Sequence, residues 1–519
     1  MATATLTGSF TNEPIVDFRT PENAAAMRVA IEKVHKELGR EYGLVIGGKH
    51  FKTRDKIRSL NPAKPPEVVG VHQKAGAEHV EPAMEAALKA FESWKNVPAQ
   101  ERADLVFRVA DLLRKRKFEF NAWLVFEVGK NWDEAEADTC EAIDFCDLYA
   151  RAALHLDQAE PVVQLPGERD MLRYIPLGVG AVISPWNFPL AIMAGMTVAS
   201  VVTGNTVILK PSSDSPTIAA KFFELLEEAG CPAGVVNFCP GSGATFGQGV
   251  VEHPKTRFIA FTGSRDAGLD INSRAAQPGP GQIWIKRTIL EMGGKDSIIV
   301  DSEADVDAAV EGVAAAAFGF QGQKCSACSR AIVDQGVYDE FLDKLKSRVQ
   351  KIAIGNPAEN APMGPVVNEG AMKSILNYIE IGKKEGNLIA GGKRAAGDGY
   401  FLEPTVIADV PPKARLSQEE VFGPLLAVIK AQDYDDALAI ANNTEYGLTG
   451  AVFTKNAAKI ERAKREFHVG NLYINRKCTG AIVGAHPFGG FNMSGTDSKA
   501  GGADYLYLFT QGKSIGHRL

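Results

Sequence analysis

The sequence predicts an α/β protein built on doubly wound parallel sheets and divided into more than one domain. Three observations carry this expectation. At 519 residues the chain exceeds what one hydrophobic core supports. From Gly178 onward, short apolar strand-like runs alternate with helical patterns, the signature of βα units. Apolar content of 45% together with 51 glycines suits a globular, loop-rich chain.

The elements follow in order. After a polar N-terminal arm, Pro82 to Trp94, Ala99 to Lys117 and Trp132 to Ala153 carry apolar residues at helical spacing. The proline at Pro82 suits a helix start. Pro161 to Pro166 and Met171 to Pro176 then flank a polar turn at Gly167 to Asp170, which predicts a β-hairpin. Its marginal prolines predict edge strands outside the main sheet. Next, a strand over Gly180 to Ile183 enters a loop at Pro185, and a strand over Asn205 to Leu209 precedes Lys210. A helix follows over Pro216 to Ala229, and Val235 to Phe238 leads into a glycine-rich turn. A second alternating series begins at Asp296 and runs to about Gly484. It holds a strand before Asp301, a helix over Tyr338 to Ile352 and a strand over Leu425 to Ile429, and so predicts a second α/β domain.

Composition excludes several classes. A net charge of −6 with no long basic block argues against nucleic acid. The basic run Arg114 to Lys117 reads as a solvated helix terminus with favourable dipole placement. Seven cysteines, an odd number at scattered spacing, make no disulfide framework and point to reduced thiols in the cytoplasm. Met1 to Phe18 shows no basic region followed by an apolar core. The apolar stretch Phe188 to Leu209 is broken by Pro189, Gly195, Gly204 and Asn205, so a buried helix running into a buried strand is expected instead of a membrane span. The nine histidines lack metal-ligand spacing, and Cys231 and Cys239 make no zinc pair, so no metal is expected.

Chemistry concentrates at Phe320-Gln321-Gly322-Gln323-Lys324-Cys325-Ser326. The helical run Val306 to Ala317 breaks at Gly319 and Gly322, and the segment delivers a single cysteine beside Lys324, whose charge is a reason for a lowered thiol pKa. Upstream, Leu290-Glu291-Met292-Gly293-Gly294-Lys295 sets a lone carboxylate before a glycine pair. Three residues beyond the cysteine, Cys328 invites a reversible disulfide with it.

Those stretches, together with Pro185-Trp186-Asn187-Phe188-Pro189, Ile208-Leu209-Lys210-Pro211-Ser212, Phe261-Thr262-Gly263-Ser264, Glu419-Glu420-Val421-Phe422-Gly423-Pro424 and Pro487-Phe488-Gly489-Gly490-Phe491, resemble the aldehyde dehydrogenase superfamily in the family's order. Arg476 to Gly484, Val128 to Trp132 and Glu141 to Phe145 resemble its glutamate-semialdehyde branch. The resemblance implies an NAD-binding domain over 1–158 and 178–290, a catalytic domain over 291–490, and a small β oligomerisation flap over 159–177 and 491–519. The flap would pair the expected hairpin with a strand near Tyr505 to Thr510.

It further implies Cys325 as nucleophile, Glu291 as general base and Asn187 as oxyanion donor. Lys210, Ser213, Gly243, Ser264, Glu420, Phe422 and Trp186 would hold NAD. Ser213 stands where many relatives carry a glutamate that repels NADP, so NADP is only weakly barred. The turn Gly241 to Gly247 has one residue more than a strict Gly-x-Gly-x-x-Gly, yet a helix entered from it can direct N–H groups at a pyrophosphate. Glu141, Phe188, Lys324, Ser326, Gly480, Ala481 and Phe488 would hold the semialdehyde. Glutamate semialdehyde, in equilibrium with its cyclic imine, is the implied substrate and glutamate the product, a homo-oligomer the implied assembly and a proline dehydrogenase an implied contact. The alternative within the superfamily is another semialdehyde, such as succinate semialdehyde.

Overall fold

The computed structural model describes residues 9–158 and 162–519. Two seven-stranded sheets dominate it. The first runs, edge to edge, Arg287–Glu291, Thr256–Thr262, Val179–Ile183, Thr206–Lys210, Val236–Phe238, Leu44–Ile46 and Lys49–Phe51. Its first five strands are parallel, and the last two add antiparallel. Every residue of Val179–Ile183 and Thr206–Lys210 is buried, the unbroken apolar texture of a parallel sheet covered on both faces. Helices Val80–Trp94, Ala191–Val202 and Pro216–Glu228 pack against this sheet or its neighbours, and Trp132–Leu156 packs on Ala191–Val202. No helix among the described residues is long and apolar enough to cross a membrane, and Phe188 to Leu209 is the buried helix and strand that its interruptions predict.

The second sheet runs Asn387–Ala390, Thr405–Ala408, Leu425–Ala431, Arg330–Asp334, Ser297–Val300, Thr449–Phe453 and Asn471–Ile474. All pairs are parallel except the first. The two sheets present opposite edges to one another's neighbourhood. Site segments of the first follow its strands, at 183–187, 210–214 and 261–264; those of the second precede its strands, at 295–296, 323–326 and 420–423. In the first sheet the chain reverses direction around Val179–Ile183, and ligand crevices form at the carboxyl ends of strands at such a switch point.

Three readings of the sequence need correction. The hairpin does not form: 162–165 is not strand, and Glu168–Pro176 pairs antiparallel with Thr510–Arg518 along its whole length. Pro161 lies outside the described residues, as do Met1 to Gly8 of the arm. Tyr505–Phe509 is a 3₁₀ turn and the C-terminal strand begins where it ends, at Thr510. A local turn signal at Gly167 was outcompeted by a partner more than 300 residues away. The run Arg114 to Lys117 is no simple solvated terminus. The helix Ala99–Lys115 stops, Lys117–Val128 begins a new helix, and the side chains join an ion-pair network. Arg114 pairs with Glu13 and Asp147, Arg116 with Glu119 and Glu228, and Lys117 with Glu13 and Glu136. The arm and the helix Trp132–Leu156 supply carboxylates that composition alone does not place.

The C-terminal segment is pinned to the first sheet by Arg287. Its guanidinium Nη1 donates to the carbonyls of Tyr507, Leu508 and Thr510 at 3.0, 2.6 and 2.8 Å. Arg287→Met should therefore cost about 2 kcal/mol of stability and lower the denaturant midpoint. An unchanged midpoint in chemical denaturation would show that the three bonds merely replace water.

Candidate active site

The facing sheet edges enclose a cavity of about 750 Å³. Lys210, Ser213, Gly243, Ser264, Trp186, Asn187, Cys325, Glu420 and Phe422 all border it, so nine positions scattered over about 240 residues of sequence converge on one cleft. Glu291 sits behind the wall, at the carboxyl end of Arg287–Glu291.

One end of the cavity is made for a polar, elongated ligand. The Lys210 ammonium is buried, donates to the Pro211 carbonyl at 3.2 Å and has no carboxylate partner among the described residues. Burial alone pushes its pKa down to about 8. The residue surplus at Gly241 to Gly247 is absorbed by a π-helical turn over Gly243–Gly247, a local widening that recurs at functional sites. A Cβ at Gly243 would meet nothing within 4 Å, and one at Gly247 would press on the Lys210 methylenes at 3.3 Å. Ser264 caps the helix Arg265–Ala275, and that helix lines the cavity with Ala267, Asp270, Ile271 and Arg274, one face of two turns. Ser213 is exposed on the rim, while the Asp214 carboxylate is taken by the Asn368 amide at 3.0 Å. These residues fit a dinucleotide: an unpaired ammonium, glycine-open walls and helix N-termini for anions.

Toward the middle, Glu420 Oε1 accepts from the Gly294 N–H at 2.9 Å. Burial lifts this carboxyl to about 7, with Lys295 and Arg265 pulling the other way. Phe422 adopts a left-handed backbone (φ 57°) and meets Trp186 edge-on, ring centroids 5.4 Å apart.

Cys325 is partly exposed to the cavity on the turn between Val306–Phe318 and Arg330–Asp334. Its thiol is not activated in the way Lys324 suggested. Burial, then Asp296, Glu420 and Glu291, push the thiol pKa well above its ordinary value. Lys324 turns away to form an ion pair with Glu134 at 2.7 Å. Asn187 is buried, and its Nδ2 donates to the Gln323 carbonyl at 3.1 Å, which ties it to the cysteine loop. Glu291 is raised to about 8 by burial, opposed by hydrogen bonds from Ser498. Cys328 is buried, donates to the Arg330 carbonyl at 3.4 Å and lies beside the Cys478 thiol of the distant 476–484 loop. Among the described residues no group of three or more histidine, cysteine or acidic side chains is placed to hold a metal ion.

The remaining candidates do not border the large cavity. Phe188 packs edge-on to Phe320 and lies under Lys130, whose ammonium is 3.9 Å from its ring centroid. Lys324 is 5.9 Å from the same centroid. Glu141 is pushed up to about 8 by burial and Asp138. The Ser326 carbonyl accepts from Cys478 Sγ at 3.3 Å, joining the cysteine turn to the loop carrying Gly480 and Ala481. Arg476 bonds the Thr479 and Gly480 carbonyls, while the Gly480 and Ala481 N–H groups have no hydrogen-bond partner among the described residues. Phe488 is held by paired backbone bonds to Ala500. Sequence reasoning missed Lys130 and its partner Asp138, both fully buried at 2.9 Å, and Lys477, which faces Lys324 and Glu134. The eight-residue spacing of Lys130 and Asp138 across a helix start was the available signal.

Fold and cleft together define a two-sheet α/β enzyme with a cysteine bordering a dinucleotide-sized cavity. The family model for the aldehyde dehydrogenase family matches residues 50–515, and the chain belongs to that family. A 1-pyrroline-5-carboxylate dehydrogenase of Geobacillus thermodenitrificans is 58% identical over 98% of both chains. The crystal structure of a Thermus 1-pyrroline-5-carboxylate dehydrogenase with bound NAD superposes with a TM-score of 0.98 at 53% identity, covering 99% of this chain and 100% of that one. Proline utilization A from Bdellovibrio bacteriovorus gives 0.97 at 46% identity, covering 99% of this chain and 53% of that one.

Because the thiol is held protonated, alkylation of Cys325 by iodoacetamide in the ligand-free protein should rise steadily through pH 9 (about the usual thiol range) without levelling off. A plateau in rate below pH 7, tracked on the Cys325 peptide, would reveal a preformed thiolate instead.

Proposed function

We propose that this chain catalyses the NAD-dependent oxidation of L-glutamate 5-semialdehyde, in equilibrium with 1-pyrroline-5-carboxylate, to L-glutamate, the second step of proline catabolism. The observation that carries the reading is the place of Cys325. It borders the cavity that fits a dinucleotide, while its neighbours Lys324 and Ser326 reach Glu134 and the loop of Gly480 and Ala481, whose N–H groups have no hydrogen-bond partner among the described residues. The names of the relatives, and the NAD in the Thermus structure, support it.

In this reading Cys325 Sγ passes its proton to solvent as it attacks the aldehyde carbon, giving a tetrahedral thiohemiacetal. The Asn187 amide and the Cys325 N–H hold the oxyanion, each such donor contributing about 3 kcal/mol. Asn187 already lies against the cysteine loop. NAD, when bound, accepts the hydride that leaves this carbon. Lys210, Ser213, Gly243 and Ser264 hold its adenosine and phosphate side, and Trp186, Glu420 and Phe422 its nicotinamide side. Glu291 then takes a proton from the water that attacks the thioester, and glutamate leaves. The free N–H groups of Gly480 and Ala481 hold the α-carboxylate, with Lys324, Ser326 and Glu141 around it and Phe188 and Phe488 along the methylenes. A contact with a proline dehydrogenase belongs to this reading, and the likeness to proline utilization A supports it. The Glu168–Pro176 and Thr510–Arg518 ribbon is the candidate oligomerisation surface, and free thiols fit the cytoplasm.

Cys325→Ala should abolish oxidation while NAD still binds by calorimetry; steady turnover in that variant would sink the covalent route. Ser213→Glu should lower NADP use at least tenfold relative to NAD, because a carboxylate on that rim repels a 2′-phosphate (roughly 1.4 kcal/mol per factor of ten). An unchanged NAD-to-NADP ratio would remove Ser213 from the ribose side. Pentanal, lacking the α-carboxylate, should show kcat/KM about 10⁴-fold below glutamate semialdehyde, since it leaves the two N–H groups unpaired. Comparable efficiency would refute the substrate assignment and spare the family.

A further inference from the structure

We infer that Ser498 is a positioning residue for Glu291, its hydroxyl bracketing one carboxylate oxygen in a slot kept open by glycine. The inference rests on the reading of Glu291 as the base and extends it. Ser498 Oγ donates to Glu291 Oε1 at 2.6 Å, and the Ser498 N–H donates to the same oxygen at 3.4 Å. The other oxygen, Oε2, is buried with no hydrogen-bond partner. The carboxylate is thus fastened at one end and uncommitted at the other, the condition for a group that must take a proton from a transient water.

The slot is shaped for this. A Cβ on Gly489 would stand 3.2 Å from Oε1, and one on Gly495 3.3 Å from it, each tighter than ordinary contact. The bracket itself is rigid. Thr496 N donates to the Leu290 carbonyl at 2.9 Å, the Leu290 N–H donates to Thr496 Oγ1 at 3.0 Å, and the Met292 N–H donates to the Ser494 carbonyl at 2.8 Å. The loop therefore zips onto the strand end that carries Glu291. Asp497 and Lys499, on either side of Ser498, both hold left-handed backbone (φ 52° and 48°), a strained geometry that persists only where surroundings enforce it. Lys499 Nζ enforces it by donating to the Gly470 and Gly489 carbonyls at 2.8 and 2.9 Å and pairing with Asp497 at 2.9 Å. Besides Ser498, the titratable groups facing Glu291 are Lys499 and Asp497 on the loop, Cys325 on the nucleophile turn and Tyr505 near the C-terminus.

A hydroxyl donating to a carboxylate stabilises its ionised form. Without that donor, burial acts on Glu291 with less opposition and the carboxyl holds its proton to higher pH. In stopped flow with NAD and glutamate semialdehyde, Ser498→Ala should keep the burst of reduced cofactor, slow the steady rate, and move the acidic limb of kcat upward by about one pH unit. Ser498→Thr, which keeps the hydroxyl, should return the limb toward wild type; Ser498→Gly carries the alanine expectation should alanine not fold. An unmoved limb, or burst and steady rate lost together, overturns the assignment. Glu291→Gln separates the two ideas. If it bursts and then stalls while Ser498→Ala behaves as wild type, only the bracket fails; if it turns over normally, the base reading fails first.

Discussion

Three chain segments meet at the cysteine with no room for a methyl group between them. A Cβ at Gly293 would overlap the Glu420 carboxylate; one at Gly294 would strike the Cys325 carbonyl and Asp296; one at Gly322 would strike the Gly423 carbonyl. This close approach of backbone to backbone lets one sheet's outgoing ends and the other sheet's incoming ends share a cleft. It also explains why Glu420 can bond directly to the Gly294 N–H, so that the nucleotide side and the nucleophile side are coupled by a single hydrogen bond. Sheets, helices and the C-terminal segment all serve to hold that contact.

Burial governs the electrostatics that result. Glu291, Glu420, Glu141 and Asp296 are all raised by desolvation, and Lys210 and Lys295 are lowered by it. A site of this kind keeps several groups poised near neutrality and lets small changes in hydrogen bonding decide who holds the proton. The surroundings of Phe188 work differently. There, cations and carboxylates are paired off, Lys130 with Asp138 and Lys324 with Glu134, and an aromatic face lies against the two lysines. Those two pairs cancel charge locally, while Lys477 and the backbone N–H groups of Gly480 and Ala481 have no ion-pair or hydrogen-bond partner among the described residues.

Much of this was legible in the sequence because it is local. The alternation after Gly178, the helix break before Cys325 and the carboxylate before Gly293 each rest on a few adjacent residues, and the structure places them as the patterns implied. What escaped depends on distance along the chain. The strand Glu168–Pro176 took a partner from the C-terminus over its neighbour across a turn. The short strands between Arg40 and Phe51 were absorbed into a polar arm, because three-residue strands carry almost no periodicity. Lys324 looked like an activator beside Cys325, yet adjacent side chains on a turn point apart, and Glu134 claims it. Ser498 had no local mark at all; its meaning comes from a loop that pairs with Leu290 and Met292 two hundred residues earlier.

The raised thiol of Cys325 has a consequence for the protein's lifetime between turnovers. Peroxides and other electrophiles attack thiolates far faster than thiols, and oxidation beyond the first step is not reversed by simple reductants. A nucleophile ringed by Asp296, Glu420 and Glu291 and kept protonated at rest is shielded from such attack without any covalent cap. The same buried surroundings that burden the first step of the reaction act as storage conditions for the idle enzyme. Damage should therefore track the time spent working more than the time spent waiting.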